Sequence, residues 1–262
     1  MPELPDVEIF RRYFQSTALH QPVAAVQVPS PKLLRDLSAS RLGRKLHGRT
    51  FVATSRHGKY LLAEVPGKGH LVLHFGMTGF LKYHRRAEAG PVHAALILEF
   101  DNGYRLVFDC QRKFGEIRWH RSVAELRQAK ELGPDPLRDG FEGKDFRRIL
   151  RRRRGAIKSL LMNQQALAGI GNVYSDEILF QAGMHPRRPV SDLDEDEIRQ
   201  LYGRVGSVLQ QAIDCRVGEK GWPKGWLLPR REAGETCPRC GGTIERLKIS
   251  GRHAYCCPEH QT

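Results

Sequence analysis

With 262 residues, 40% of them hydrophobic and 27% charged, the chain can bury the cores of two domains and has the balance of a water-soluble protein. No apolar run approaches the roughly 18 residues that span a membrane, and the opening MPELPDVEIF lacks the basic stretch and apolar core of an export signal, so the cytoplasm is the expected location. Lys and Arg number 43 against 29 Asp and Glu; a net charge of +14 points to a polyanionic partner, because each neutralised phosphate releases condensed counterions. The plainer reading of that charge is solubility alone, while anionic lipid is disfavoured by the lack of a lipidation signal or basic amphipathic terminus.

Taken in chain order, Asp6–Phe14 has helical spacing behind Pro5, a good first-turn residue. Short strand-like runs follow at Ala24–Val28, Arg49–Thr54, Tyr60–Val65, His70–Phe75, Ala94–Phe100, Tyr104–Phe108 and Glu116–Trp119, punctuated by turns such as Asp101-Asn102-Gly103. Two prolines and a glycine in residues 131–137 mark a linker. Beyond it the periodicity predicts helices at about 143–152, 156–163, 172–182 and 193–214, the last with a capping signal at Ser191 and Asp194. Residues 216–236 have no periodicity and read as a loop. The expected fold class is therefore α+β and multidomain. It comprises an N-terminal β-sandwich with an opening helix at 1–130, a helical domain at 138–215, the loop at 216–236 and a metal-binding tail at 237–262.

Four of six cysteines fall in the last 26 residues, a clustering that suggests a metal rather than a disulfide framework. Cys237-Pro-Arg-Cys240 and Cys257-Pro-Glu-His260 form two close pairs separated by sixteen residues, a spacing suited to tetrahedral Zn²⁺ across a hairpin. Cys256 competes with its neighbour Cys257 for one place, and the two-residue gap to His260 favours Cys257. Four protein ligands would make the ion structural, with no position open for water.

Met1-Pro2-Glu3-Leu4-Pro5-Asp6-Val7-Glu8, Ala168-Gly169-Ile170-Gly171-Asn172-Val173-Tyr174 and the cysteine tail together resemble the formamidopyrimidine-DNA glycosylase / endonuclease VIII family, in the expected order over essentially the whole chain. The resemblance implies a bifunctional DNA glycosylase/AP lyase acting as a monomer on double-stranded DNA with damaged bases or abasic sites. It implies that Pro2, exposed by removal of Met1, attacks C1′ and leaves an iminium intermediate. An α-amino group has an intrinsic pKa about 2.5 below that of lysine, so part of it is unprotonated at neutral pH. Glu3 is implied in acid/base work, Lys59 and Arg252 in phosphate contact and elimination, and His93, Arg112, Arg154 and Asn172 in DNA contact. Met77, Arg112 and Phe114 match the residues that fill the space left by a flipped nucleotide. Asp6 stands where the family commonly has Glu, and Cys-Cys-Cys-His replaces the four cysteines common in its bacterial members. The helical region is implied to be a helix–two-turns–helix, with free N–H groups near Gly169 and Gly171 favouring a phosphate.

Most of these residues also have a bland reading. Asp6 suits a helix N-terminus, Met77 and Phe114 suit a core, and Trp222 and Trp226 in the 216–236 loop serve equally as packing or as stacking surfaces for a flipped base. The PELPDVE start places oxidised purines first among lesions, with oxidised pyrimidines and crosslinked bases behind. A catalytically silent DNA-binding protein and a zinc-dependent nuclease are the competing function classes; the closed ligand set counts against the second.

Overall fold

The computed structural model describes residues 1–138, 140–218 and 221–262, so Glu219 and Lys220 of the expected loop lie outside the described residues. The chain divides into two compact units. Met1–Pro2 with Asp6–Lys130 forms the first, and Glu3–Pro5 with Glu131–Thr262 the second.

The first unit is a β-sandwich. Helix α1 (Leu4–Ala18) leads to β1 (Val23–Gln27) and α2 (Ala39–Leu46). Strands β2 (Ala53–His57), β3 (Tyr60–Val65), β4 (Gly69–His74), β5 (Gly79–Arg85), β6 (Ala94–Phe100), β7 (Tyr104–Cys110) and β8 (Glu116–His120) follow, then α3 (Val123–Ala129). They form two antiparallel four-stranded sheets of order β1-β6-β7-β5 and β2-β3-β4-β8. Apolar residues at every second position turn inward, so Leu61, Leu71, Leu73, Leu96, Leu98, Leu106 and Phe108 share one core with Val7, Phe14 and Ala18 of α1. Phe108 packs edge-on against Phe75, with ring centroids 5.5 Å apart.

Several expectations shift. The strand expected at 49–54 begins at Ala53, while Phe51 is fully buried and makes only an isolated bridge to Leu19. Strand β5 was not foreseen, because its exposed Phe80, Lys82 and Arg85 alternate with buried Gly79, Leu81 and His84 behind a Gly-Met-Thr-Gly turn. Helices α2 and α3 were likewise missed; both are short, and α2 carries Gly43 in its interior.

The second unit is helical with a terminal hairpin: α4 (Gly143–Arg151), α5 (Ile157–Leu161), α6 (Asn172–Ala182), α7 (Glu195–Val217), β9 (Glu245–Ile249) and β10 (Arg252–Cys256). The α7 cap is Asp194 itself, whose carboxylate accepts from Glu197 N while Glu197 returns the bond; Ser191 takes no part in it. Helix α6 is buried from Tyr174 through Phe180 and ends at Gly183 in a left-handed conformation. Phe180 packs with Leu227, Cys237, Ile244 and Cys257, which anchors the hairpin region on α6. Among the described residues no helix is long and apolar enough to cross a membrane.

Phe108→Ala removes a fully buried ring from the sandwich and should lower stability by about 3–5 kcal/mol, read as a fall in the urea midpoint with the slope unchanged.

Candidate functional site

Pro2 precedes α1 and is half-buried; Glu3 beside it is 1% exposed. The Glu3 carboxylate serves the head of a helix far along the chain. Gly171 N donates to Oε2 at 2.8 Å, Tyr174 N to the same oxygen at 3.1 Å, and Val173 N to Oε1 at 2.9 Å. These are the orphan donors of the first turn of α6, whose own N-cap, Gly171, has no side chain to offer. A Cβ at Gly171 would lie 2.3 Å from the Glu3 carboxylate, which explains the glycine by space rather than by backbone angle. Of the N–H groups at this helix start, those of Gly171, Val173 and Tyr174 are therefore taken by Glu3. Leu4 N donating to Gly169 O at 3.0 Å fixes the same segment.

Asn172 opens α6 and faces the hairpin. Its Nδ2 donates to His253 O at 2.9 Å, while its Oδ1 is buried without a partner among the described residues. Below it lies a charge cluster that sequence reasoning missed. Lys158, fully buried, donates to Asn172 O at 3.0 Å, Ser175 Oγ at 2.9 Å and Asp176 Oδ1 at 2.5 Å. Asp176 Oδ2 accepts from Arg231 Nε at 2.9 Å and Nη2 at 2.6 Å. Burial lowers the Lys158 pKa and raises that of Asp176, in each case against the pull of the opposite charge. A signal did exist: Lys158 interrupts the apolar run Ile157–Leu161, and Asp176-Glu177 interrupts that of α6.

In the first unit, Lys59 sits in the turn between β2 and β3 and is 7% exposed. Nearby, the rings of Tyr60 and His74 lie 4.9 Å apart. Burial drives His74 down to about 4, with Lys59 adding to the effect against the pull of Glu116, so His74 is neutral at pH 7. Glu116 is held at about 2: burial would raise it, but Lys130 and Arg118 bond its carboxylate. The Gly76–Gly79 turn packs against the 112–115 loop. Arg112 N donates to Thr78 Oγ1 at 3.1 Å, and a Cβ on Gly76 would meet the Phe114 backbone at 2.5 Å. Met77 and Phe114 are 40% and 59% exposed, so neither is a core residue, and the Arg112 guanidinium lies 5.3 Å from the Phe114 ring centroid. Phe80, 40% exposed on β5, is a further outward apolar residue that the sequence did not single out. His93 is exposed, its backbone pinned by N–H donation to Asp109 Oδ2 at 2.8 Å.

Around α4 the arginines divide by partner. Arg147 and Arg151 pair with Glu195, and Arg148 pairs with Asp145. Arg152, Arg153 and Arg154 have no carboxylate partner among the described residues and, with Arg151, line a cavity of about 400 Å³ bounded by Leu150, Val190, Ser191, Leu193 and Ile198.

In the tail, the sulfurs of Cys237, Cys240 and Cys257 lie within 4.8 Å of one another, and those of Cys240 and Cys257 are 3.5 Å apart. Gly242 N donates to Cys240 Sγ at 3.4 Å, as a knuckle requires. Three convergent thiolates fit Zn²⁺, and the tail holds one structural zinc. Cys256 is buried in β10 outside the trio. His260 also lies outside it: Nε2 sits 2.9 Å from Phe180 O, so as a donor there it leaves Nδ1 for a metal. Arg252 is exposed at the start of β10. Trp226 is buried (4% exposed) and stacks on half-buried Trp222, with centroids 5.4 Å apart and planes at 20°. The segment after them is fastened by buried Glu177, which accepts from Leu227 N at 3.3 Å and Leu228 N at 2.7 Å.

Two outcomes follow from these contacts. Gly171→Ala should cost about 2 kcal/mol by displacing Glu3, and much less in a Glu3→Ala background, as a thermal-unfolding double-mutant cycle reads. Burial pushes Glu177 up to about 7 from 4.5, so the folded state holds a proton that the unfolded chain releases, and stability falls as pH rises through that window. Glu177→Gln should flatten this slope, worth up to about 3 kcal/mol, in unfolding free energies measured at several pH values.

Comparison with known proteins matches residues 1–117 to the formamidopyrimidine-DNA glycosylase N-terminal domain, 132–221 to the H2TH domain of the same glycosylase, and 234–259 to a zinc finger found in FPG and IleRS. The formamidopyrimidine-DNA glycosylase of Heliobacterium modesticaldum is 37% identical over 278 residues, covering all of both chains. That of Geobacter metallireducens is 37% identical over 270 residues, again covering both in full. Among solved structures, Lactococcus lactis Fpg in complex with DNA containing an abasic site aligns with TM-score 0.90 at 29% identity over 99% of each chain. MutM in complex with DNA containing carbocyclic 8-oxo-G aligns with TM-score 0.89 at 30% identity over all of both chains. The chain belongs to the formamidopyrimidine-DNA glycosylase family.

Proposed function

We propose that the protein excises oxidised bases from double-stranded DNA, 8-oxoguanine and formamidopyrimidines foremost, with Pro2 as the nucleophile and strand cleavage by elimination. As a family member it is a base-excision-repair DNA glycosylase with AP lyase activity. The substrate class is supported by the solved relatives, which hold DNA with an abasic site or 8-oxo-G. The observation that carries the residue assignment is the Glu3 cradle: three backbone N–H groups immobilise the carboxylate directly after Pro2 in the chain.

With Met1 removed, the Pro2 nitrogen forms a bond to C1′ as the glycosidic bond breaks, and the departing base takes up a proton. The amine loses its proton, O4′ leaves C1′ and is protonated, and an open-chain iminium remains. Loss of a C2′ proton expels the 3′ phosphate; a second elimination expels the 5′ phosphate. Glu3, held as an acceptor, supplies fixed negative charge next to the nitrogen that becomes cationic. Lys59 and Arg252 hold phosphates and assist the eliminations. His93, Arg154 and Asn172 grip the backbone, and Met77, Arg112 and Phe114 occupy the space vacated by the flipped nucleotide. Of the two tryptophans, Trp222 has the exposed surface to meet DNA, and Trp226 backs it. When bound, the zinc ion cross-links the tail, with Cys237, Cys240 and Cys257 as ligands and His260 as the fourth. The protein is proposed to work as a cytoplasmic monomer, in five parts: the catalytic sandwich 1–130, linker 131–137, helical region 138–215, loop 216–236 and finger 237–262.

Borohydride trapping on an 8-oxoguanine duplex, with a verified N-terminal proline and a Pro2→Gly control, tests this reading. A Pro2-dependent covalent complex is expected. Trapping on abasic DNA but not on 8-oxoguanine would move the substrate to other lesions, oxidised pyrimidines first. No trapping on either would leave a DNA-binding protein.

A further inference from the structure

Arg231 closes the short turn Leu228–Arg230 that precedes the finger, and its side chain is only 17% exposed. It touches two separate elements of the second unit, α6 at two places and β10 at one. Nε and Nη2 both donate to Asp176 Oδ2 on α6; Nη2 reaches the Asn172 carbonyl at 3.4 Å; and the guanidinium lies 4.6 Å from the Tyr255 ring centroid on β10. The other Asp176 oxygen is taken by Lys158, which also bonds the Asn172 carbonyl. One arginine thus fastens the first turn of α6, the turn before the finger and the strand that carries Arg252. That same first turn supplies the N–H groups that hold Glu3.

We propose that Arg231 is a positioning residue for the reaction, fixing the Arg252 strand against the Glu3-holding head of α6; this rests on the function proposed above. The chemistry favours arginine specifically. A planar fork can donate two bonds to one carboxylate oxygen while presenting its face to a tyrosine ring, which a lysine ammonium cannot do. The arrangement also separates positioning from folding. Without Arg231, buried Asp176 still keeps Lys158, so no uncompensated charge is left in the interior, whereas loss of Lys158 would strip Asp176 of its buried partner. What goes with Arg231 is one polar tie between α6 and β10, while Asn172 Nδ2 to His253 O and the packing of Tyr255 against the Phe180 cluster remain.

The test uses zinc-loaded full-length protein with the N-terminal proline verified. Wild type, Arg231→Met and Arg231→Lys are compared on an abasic-site duplex. The measurements are borohydride trapping rate, the ratio of single- to double-elimination products, affinity for a tetrahydrofuran-site duplex, zinc content and thermal midpoint. Expected for Arg231→Met is one zinc per chain and binding within about threefold of wild type. Its second elimination should slow by on the order of tenfold or more, as small displacements of reacting groups do, so that the product ratio moves towards single elimination. Arg231→Lys should recover part of the ratio. An unchanged product ratio with wild-type rates overturns the proposal. A parallel fall of trapping, binding and zinc content, without a change in ratio, also overturns it and makes Arg231 purely structural. If wild type itself does not trap, the failure lies in the functional reading, and the positioning role falls with it.

Discussion

A helix that starts in a buried place must find partners for its first N–H groups, and α6 finds them in a carboxylate 168 residues away. Gly171 provides the room, Glu3 provides the acceptor, and the positive end of the helix dipole adds to the attraction. Much of the second unit is arranged around that turn. Lys158 and Arg231 converge on the Asn172 carbonyl from opposite parts of the sequence, and Asp176 holds both cations by its two oxygens. The cluster is rigid because every member is buried or nearly so and each has more than one partner.

The surplus of positive charge is distributed unevenly, and its distribution says more than its total. Arg147, Arg148 and Arg151 are spent on carboxylates of the same unit, and Arg231 and Lys158 on Asp176. Arg152, Arg153 and Arg154 have no carboxylate partner among the described residues and line a cavity instead. Four adjacent arginines in the sequence are therefore not four equivalent contacts.

The sequence disclosed most where physics acts locally. Alternating strands such as Tyr60–Val65 and Ala94–Phe100, and the long periodic helix ending in Val217, could be read directly, as could the cysteine pairs. It disclosed less where a residue acts at a distance. Glu3 was recognised by its neighbours, but its partners at Gly171, Val173 and Tyr174 leave no trace in spacing. Lys158, Asp176 and Arg231 are separated by 18 and 55 residues, and only charges set into apolar runs hinted at burial. Strand β5 was hidden because its outward face is as polar as a loop. Trp222 and Trp226 stood out by type, yet only the fold showed that one backs the other.

The placement of Glu3 also bears on how the molecule is made. In the order of synthesis this carboxylate precedes the turn it caps by 168 residues. Until the two meet, the N–H groups of Gly171, Val173 and Tyr174 lack these acceptor oxygens. Closing a loop that long carries an entropic cost that rises with the logarithm of its length and delays the contacts that reward it. The seat of Glu3 on α6 is thus a contact whose formation waits on most of the intervening chain, even though Val7, Phe14 and Ala18 close behind it pack within the first unit.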